Sequence, residues 1–113
     1  MLLSQFTSVI SVISVATHLQ DLLQEDPEFR AAQLAEAIEL LAENDVQTAK
    51  SIIRKYILAS IGFEALAKQI DKNPESIKRM LSEKGNPTLK NMAALLSSLK
   101  RHEGISIHVE ATR

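Results

Sequence analysis

Apolar side chains recur every three or four residues through most of the chain, which is the spacing of helices buried on one face. The first such stretch starts at Asp26-Pro27-Glu28, where a capping aspartate, a helix-opening proline and a first-turn acid follow one another. A second stretch begins after Asn44-Asp45 and ends near Gly62. Its apolar stripe predicts that three basic residues lie on a solvated face: Lys50, Arg54 and Lys55.

Two short helices with a three-residue connection are predicted next. Leu66, Ala67 and Ile70 form the inward face of the first, which starts at Phe63. The turn is Asp71-Lys72-Asn73, and aspartate is one of the few residues that tolerate a left-handed backbone. Asn73 can cap the next helix, which Pro74 opens and which is predicted to reach about Lys84.

The second short helix is predicted to have one apolar and one polar face. At 100° per residue the apolar face consists of Ile77, Met80 and Leu81. The opposite face consists of Glu75, Lys78, Arg79 and Ser82. Two short helices cannot cover each other unless they cross steeply, so the polar face stays outside the core. In a helix-turn-helix, that face enters the major groove of DNA.

A further helix is predicted after Gly85, which ends the previous one. Asn86-Pro87-Thr88 starts it, and its expected apolar stripe is Leu89, Met92, Ala93, Leu96 and Leu99. After Gly104 the period changes to two, because Ile105, Ile107 and Val109 alternate with polar residues. This alternation predicts a strand.

Both ends of the chain leave alternatives open. The C-terminal strand needs a partner, either the same strand of a second copy or the Ser-Val-Ile repeat in residues 8–15. Residues 1–25 are interpreted as an amphipathic helical extension. The β-branched Ser-Val-Ile repeat also allows a strand or poor order there. The predicted strand residues Ile105, Ile107 and Val109 are the candidate dimer contact.

Charge is distributed unevenly along the chain. Residues 1–48 carry eight acids and one base, a formal charge of −7, whereas residues 49–113 carry twelve bases and six acids, +6. Such asymmetry is found in modules that face nucleic acid, and it equally allows the two halves simply to attract each other.

Composition excludes several classes of protein. The chain has no cysteine, so neither a disulfide framework nor a thiolate metal site is expected. His18, His102 and His108 are scattered, and no metal-ligand spacing, phosphate-binding glycine loop or nucleophile–base pair is visible. We therefore expect no enzymatic activity, no metal and no cofactor. The apolar start lacks a basic n-region and is too polar for a membrane span, so we expect a cytoplasmic protein.

The order of these signals is similar to that of a group of small bacterial regulators. The similarity is carried by Asp26–Arg30, Ile61–Ala67, Ser76–Leu81, Lys84–Thr88 and Asn91. The chain resembles phage-repressor-like helix-turn-helix proteins of the antitoxin, or addiction-module antidote, type. The resemblance implies an all-helical, dimeric protein that binds DNA, represses its own operon and pairs with a toxin. Asp71 departs from this family, which usually has glycine in the turn, and Lys72 stands at an often apolar position.

The candidate DNA contacts cluster around the predicted second short helix. They are Asn73, Glu75, Ser76, Lys78, Arg79, Ser82, Lys84, Asn86, Thr88 and Lys90. Arg79 is the best candidate for base contact, because a guanidinium can bind O6 and N7 of guanine together. The alternative for Arg79 is a surface ion pair with Glu75. Asn73, Ser76 and Thr88 could instead serve only as helix caps.

The sequence as a whole predicts an all-α, phage-repressor-like helix-turn-helix bundle with one short C-terminal strand. Residues 1–25 form an N-terminal extension, 26–104 the DNA-binding domain, and 105–113 the dimerising strand and tail. The predicted function is sequence-specific repression by a homodimer on double-stranded operator DNA, with a toxin as a further partner. The alternative is a helical dimer that binds a partner protein and has little affinity for DNA.

Overall fold

The computed structural model describes residues 19–113, and all regular secondary structure in this range is helical. Residues 19–25 are helical, and five complete helices follow: α1 (Pro27–Ala42), α2 (Val46–Ala59), α3 (Phe63–Gln69), α4 (Pro74–Met80) and α5 (Leu89–Glu103). The all-helical prediction is thereby confirmed for this range. The predicted extension lies outside the described residues over positions 1–18. Among the helices described, none has the length and apolar character needed to span a bilayer.

Helix boundaries follow the capping residues that the sequence indicates. The Asp26 carboxylate accepts hydrogen bonds from the backbone N–H groups of Glu28 and Phe29. Asn73 caps α4 and Thr88 caps α5 in the same way. Each cap satisfies backbone donors that would otherwise have no partner in the first turn. The starts of α1, α4 and α5 are therefore as predicted.

The core lies where α1 packs on α2 and where α3, α4 and α5 close around them. Its fully buried aliphatic residues include Leu34, Ile53, Ile57, Leu66, Ile77, Leu81, Leu95 and Leu99. Ala67 on α3 is also buried. Of the predicted inward residues of α3, Leu66 and Ala67 are thus confirmed as buried, and Ile70 is half-buried.

The buried stripe of α5 differs from the predicted one. Leu89 and Ala93 are exposed, whereas Leu95 and Ser98 are buried. Ser98 is compatible with the core because its hydroxyl hydrogen-bonds to Oε1 of Gln69 on α3, at 2.6 Å. Because serine is polar, the hydrophobic periodicity of the sequence did not mark this position of the helix as buried.

The predicted C-terminal strand is wrong for the described chain, because residues 105–110 form no strand there. The Ile105 amide bonds to the carbonyl of Lys100 at 3.3 Å, and residues 106–110 make no further backbone hydrogen bond within residues 19–113. Ile105 and Ile107 are half-buried and pack on the helical core. Val109 is 87% exposed. The alternating isoleucines thus find their apolar partner in α-helices rather than in another strand.

Candidate nucleic-acid interface

The turn between α3 and α4 is made possible by one left-handed residue. Asp71 has φ 53°, as the sequence predicts for this position. The following amide, from Lys72, bonds back to the carbonyl of Ala67 at 2.9 Å. This hydrogen bond ends α3 immediately before Asn73 caps α4, so the connection needs only three residues.

α4 separates an apolar from a polar face as predicted. Ile77 is fully buried, whereas Glu75, Lys78 and Arg79 are exposed. Ser82 lies beyond the end of the helix and is half-buried. The polar residues of α4 itself therefore face away from the core.

α4 is shorter than predicted, because it ends at Met80 rather than near Lys84. The Ser82 hydroxyl and amide both donate to the carbonyl of Arg79, at 2.7 and 3.2 Å, and so replace a further helical turn. Gly85 approaches the helix end so closely that a Cβ there would overlap the carbonyl groups of Arg79 and Met80. Gly85 is thus required by close packing over the helix end, several residues after the helix has stopped.

A basic groove of about 570 Å³ opens beside α4. Its lining residues are Lys72, Ser76, Arg79, Met80, Ser82, Lys84, Gly85, Asn86 and Asn91. Three are basic and, within residues 19–113, none is acidic. The structure thus brings together five of the predicted DNA contacts: Ser76, Arg79, Ser82, Lys84 and Asn86. It adds Lys72 from the turn and Asn91 from α5.

Arg79 has no ion-pair or hydrogen-bond partner for its guanidinium among residues 19–113. The predicted alternative, an ion pair between Arg79 and Glu75, is wrong. Glu75 instead pairs with Lys78, with 3.3 Å between Oε1 and Nζ. That pair is solvent-exposed and contributes little to stability. The five guanidinium donors of Arg79 are therefore unused within the part of the chain that the structure describes.

The other predicted contacts lie outside the groove lining. Asn73 and Thr88 accept backbone hydrogen bonds as helix caps, from Glu75 and Asn91. The Lys78 ammonium sits 5.7 Å from the centre of the Phe63 ring. The remaining two positions, Glu75 and Lys90, are exposed.

Sequence reasoning missed a set of side chains beneath the groove. Lys50 was predicted to be solvated, but it is 1% exposed and donates to carbonyl oxygens in the segment after α4. Arg54 donates to the Leu81 carbonyl at 2.8 Å, and Gln47 donates to the Glu83 carbonyl at 3.0 Å. Their i, i+3, i+7 spacing places all three on one side of α2, which is the only sequence signal that could have grouped them.

A comparison of the chain with protein-family models, curated proteins and solved structures finds no match. Within residues 19–113, no group of three histidine, aspartate or glutamate side chains is placed to hold a metal ion. The groove offers guanidinium, ammonium, amide and hydroxyl groups. These groups are suited to bind phosphate oxygens and the edges of nucleobases.

Proposed function

We propose that this chain is a sequence-specific DNA-binding transcriptional regulator whose α4 enters the major groove. The observation that carries the proposal is the exposed Arg79 on the polar face of a short capped helix, beside a groove. Within residues 19–113 its guanidinium has no partner and the groove lining has no acidic side chain. A guanidinium in this position can bind guanine through two hydrogen bonds.

Phosphate binding by the remaining groove cations complements base contact. Lys84 is exposed and Lys72 half-buried in the groove lining. Ammonium groups at the edge of a major-groove contact neutralise phosphate and release counterions, which gives affinity that is independent of sequence and falls with salt. The charge of +6 over residues 49–113 favours the same partner.

The resemblance to antitoxin-type regulators extends the proposal to repression of the chain's own operon by a homodimer, with a toxin as protein partner. Two-fold operators are bound by two recognition helices held about 34–36 Å apart. A neighbouring reading frame that encodes a small ribonuclease would support the toxin–antitoxin role. The same chain without such a neighbour would act as a stand-alone repressor.

The direct test selects a binding site for the parent protein from random-sequence duplexes and then measures variants on it. Arg79→Ala should lose about 1–3 kcal/mol of binding free energy and relax the preference at one base position. Lys84→Ala should weaken binding to all sequences alike and reduce the salt slope by about one unit. Lys55→Ala, an exposed lysine of α2 outside the groove lining, is the matched control.

Two results would contradict the assignment. An Arg79→Ala variant that binds the selected site as tightly as the parent would remove α4 from the DNA contact. A parent protein whose DNA binding is weak and shows no sequence preference would favour the protein-interaction alternative.

A further inference from the structure

Lys50 is the one charged residue that is fully buried within residues 19–113. Its ammonium group donates to three main-chain oxygens: Ser82 at 2.8 Å, Gly85 at 2.7 Å and Glu83 at 3.3 Å. An ammonium has three N–H donors, so all of them are used here. Since an unbonded buried charge is strongly unfavourable, these carbonyls and the ammonium hold each other in place.

Two of the three carbonyls belong to Ser82 and Gly85, which line the groove together with Lys84 and Asn86. The third belongs to Glu83, which lies in the same segment but not in the lining. Residues 82–86 thus contribute one wall of the groove. Apart from two short-range bonds, Ser82 to Arg79 and Gly85 to Ser82, residues 82–86 donate no backbone hydrogen bond within the described chain. The shape of this wall therefore depends on side chains that reach it from α2.

The carbonyl groups at the end of α4 also matter electrostatically. Oxygen atoms left without a helical partner carry partial negative charge, which would repel DNA phosphate. Lys50 and Arg54 place two positive charges on the oxygens of residues 81–85. Residues 82–86 can then approach a phosphate backbone without being repelled by these carbonyl oxygens.

We propose that Lys50 is a positioning residue for DNA binding. It fixes residues 82–85 so that Lys84 and the exposed arginine of α4 are held at a set distance across the groove, and it makes no contact with DNA itself. This inference rests on the DNA-binding function proposed for α4. It assigns sequence selectivity to a residue on a helix that does not border the groove.

Substitution of Lys50 by methionine keeps the length of the side chain and removes its donors. On the site selected for the parent, Lys50→Met should lower affinity about ten-fold or more, because Arg79 and Lys84 lose their fixed spacing. Affinity for random duplex should fall less than about three-fold, and the salt slope should not change, since Lys84 keeps its ammonium group and loses only its fixed distance from Arg79. The selected-sequence profile should broaden.

Two control variants distinguish a loss of positioning from the loss of one positive charge and from a loss of stability. Lys55→Met removes an exposed lysine from the same helix and should leave all DNA parameters unchanged. Leu34→Ala creates a cavity in the core on α1, which contributes no residue to the groove lining. It should reduce thermal stability without changing the affinity of the folded protein, measured well below its melting temperature.

Amide hydrogen exchange tests the anchor without DNA. In Lys50→Met, the hydrogen-bonded amides of Leu81, Ser82 and Gly85 should exchange at least about ten-fold faster than in the parent, and those of α1 and α5 should be unchanged. If Lys50→Met does not fold, Gln47→Ala serves instead, because it removes only the exposed bond to the Glu83 carbonyl. It should show the same pattern at about two- to five-fold.

The outcomes distinguish failure of the inference from failure of the proposed function. A parent without sequence-selective DNA binding would overturn the proposed function, and unchanged exchange at the amides of Leu81, Ser82 and Gly85 would overturn the anchor in either case. With a selective parent, unchanged affinity in Lys50→Met would overturn the positioning role. A salt slope reduced by about one unit would show that Lys50 contacts phosphate, which also contradicts it.

Discussion

Glu103, the last residue of α5, joins three helices through one carboxylate. It accepts hydrogen bonds from Nε and Nη2 of Arg30 on α1, at 2.8 and 3.0 Å, and from the hydroxyl of Tyr56 on α2. The hydrogen bond from Arg30 lowers the pKa of Glu103, against the opposing effect of burial. Burial and the hydrogen bond to Glu103 raise the pKa of Tyr56, so the phenol remains a donor. The Arg30 guanidinium also donates to the carbonyls of Leu23 and Gln24, which ties residues 19–25 to the same cluster.

This carboxylate makes stability depend on pH in a defined direction. Because the folded pKa of Glu103 is lower than its ordinary value of 4.5, its contribution is complete above that pH and is lost as pH falls through the folded pKa. Glu103→Gln should lower the free energy of unfolding by about 1–3 kcal/mol at neutral pH. The difference between parent and variant should shrink as the solution is acidified.

Urea unfolding at a series of pH values, followed by circular dichroism, measures this difference. Glu36→Gln, which neutralises an exposed carboxylate on α1, controls for the general loss of one acid. A constant difference between parent and Glu103→Gln from neutral to acid pH would show that the carboxylate charge has no part in the stabilisation.

At the scale of helices, the sequence predicts starts far better than ends. Caps are local, and Asp26, Asn73 and Thr88 each act within three residues of their own position. The end of α4 depends instead on Gly85 packing over it and on donors from α2, which no local pattern contains. The early end of α4 and the conformation of the loop that follows it therefore could not be predicted.

The same distinction applies to the candidate site. The exposed position of Arg79 follows from 100° periodicity within one helix, and the structure places it there. The burial of Lys50 depends on oxygen atoms more than thirty residues away along the chain. A lysine on the polar side of a helix is predicted to be solvated, because an acceptor that comes from elsewhere in the fold has no signature in the surrounding residues.

α1 presents an acidic surface that we expect to take no part in DNA binding. Glu36 and Glu39 on α1 and Glu43 directly after it are exposed. α1 packs on α2 and α5 without lining the groove. Acidic side chains repel phosphate, although salt screens this effect beyond about 8–10 Å. Replacement of all three by glutamine should leave affinity for the selected site equal or raise it slightly. Fluorescence anisotropy at two salt concentrations would measure this, with Arg79→Ala as the reference for a true contact.

A large loss of affinity in the triple variant, with an unchanged circular dichroism spectrum and melting temperature, would place α1 in the DNA interface. The expectation that α1 takes no part in DNA binding would then be wrong. An unchanged affinity would leave this surface of α1 available to a protein partner.

At the scale of the whole molecule, the C-terminal tail, residues 105–113, has backbone groups that can still pair with another segment. Residues 106–110 have backbone groups without hydrogen-bond partners in the described chain. Val109 is 87% exposed and lines a second, smaller cavity between the tail and α1, together with Ala35 and Ile38. Free backbone groups next to an apolar side chain favour association with a second extended segment. A two-fold axis through two such tails would bring identical segments together and repeat α4 on each side.

Val109→Asp tests this arrangement without removing the isoleucines that pack on the core. Because the Val109 side chain is exposed in the single chain, the substitution should change the melting temperature of the monomer little. In a pair of tails, two aspartates would lose water close to each other, which destabilises the contact.

We expect the parent to sediment as a dimer at micromolar concentration and Val109→Asp as a monomer with reduced affinity for a two-fold operator. Thr112→Asp adds the same charge beyond the pairing segment and should remain dimeric. A Val109→Asp protein that still sediments as a dimer would move the contact elsewhere, and a monomeric parent would remove the proposed homodimer altogether.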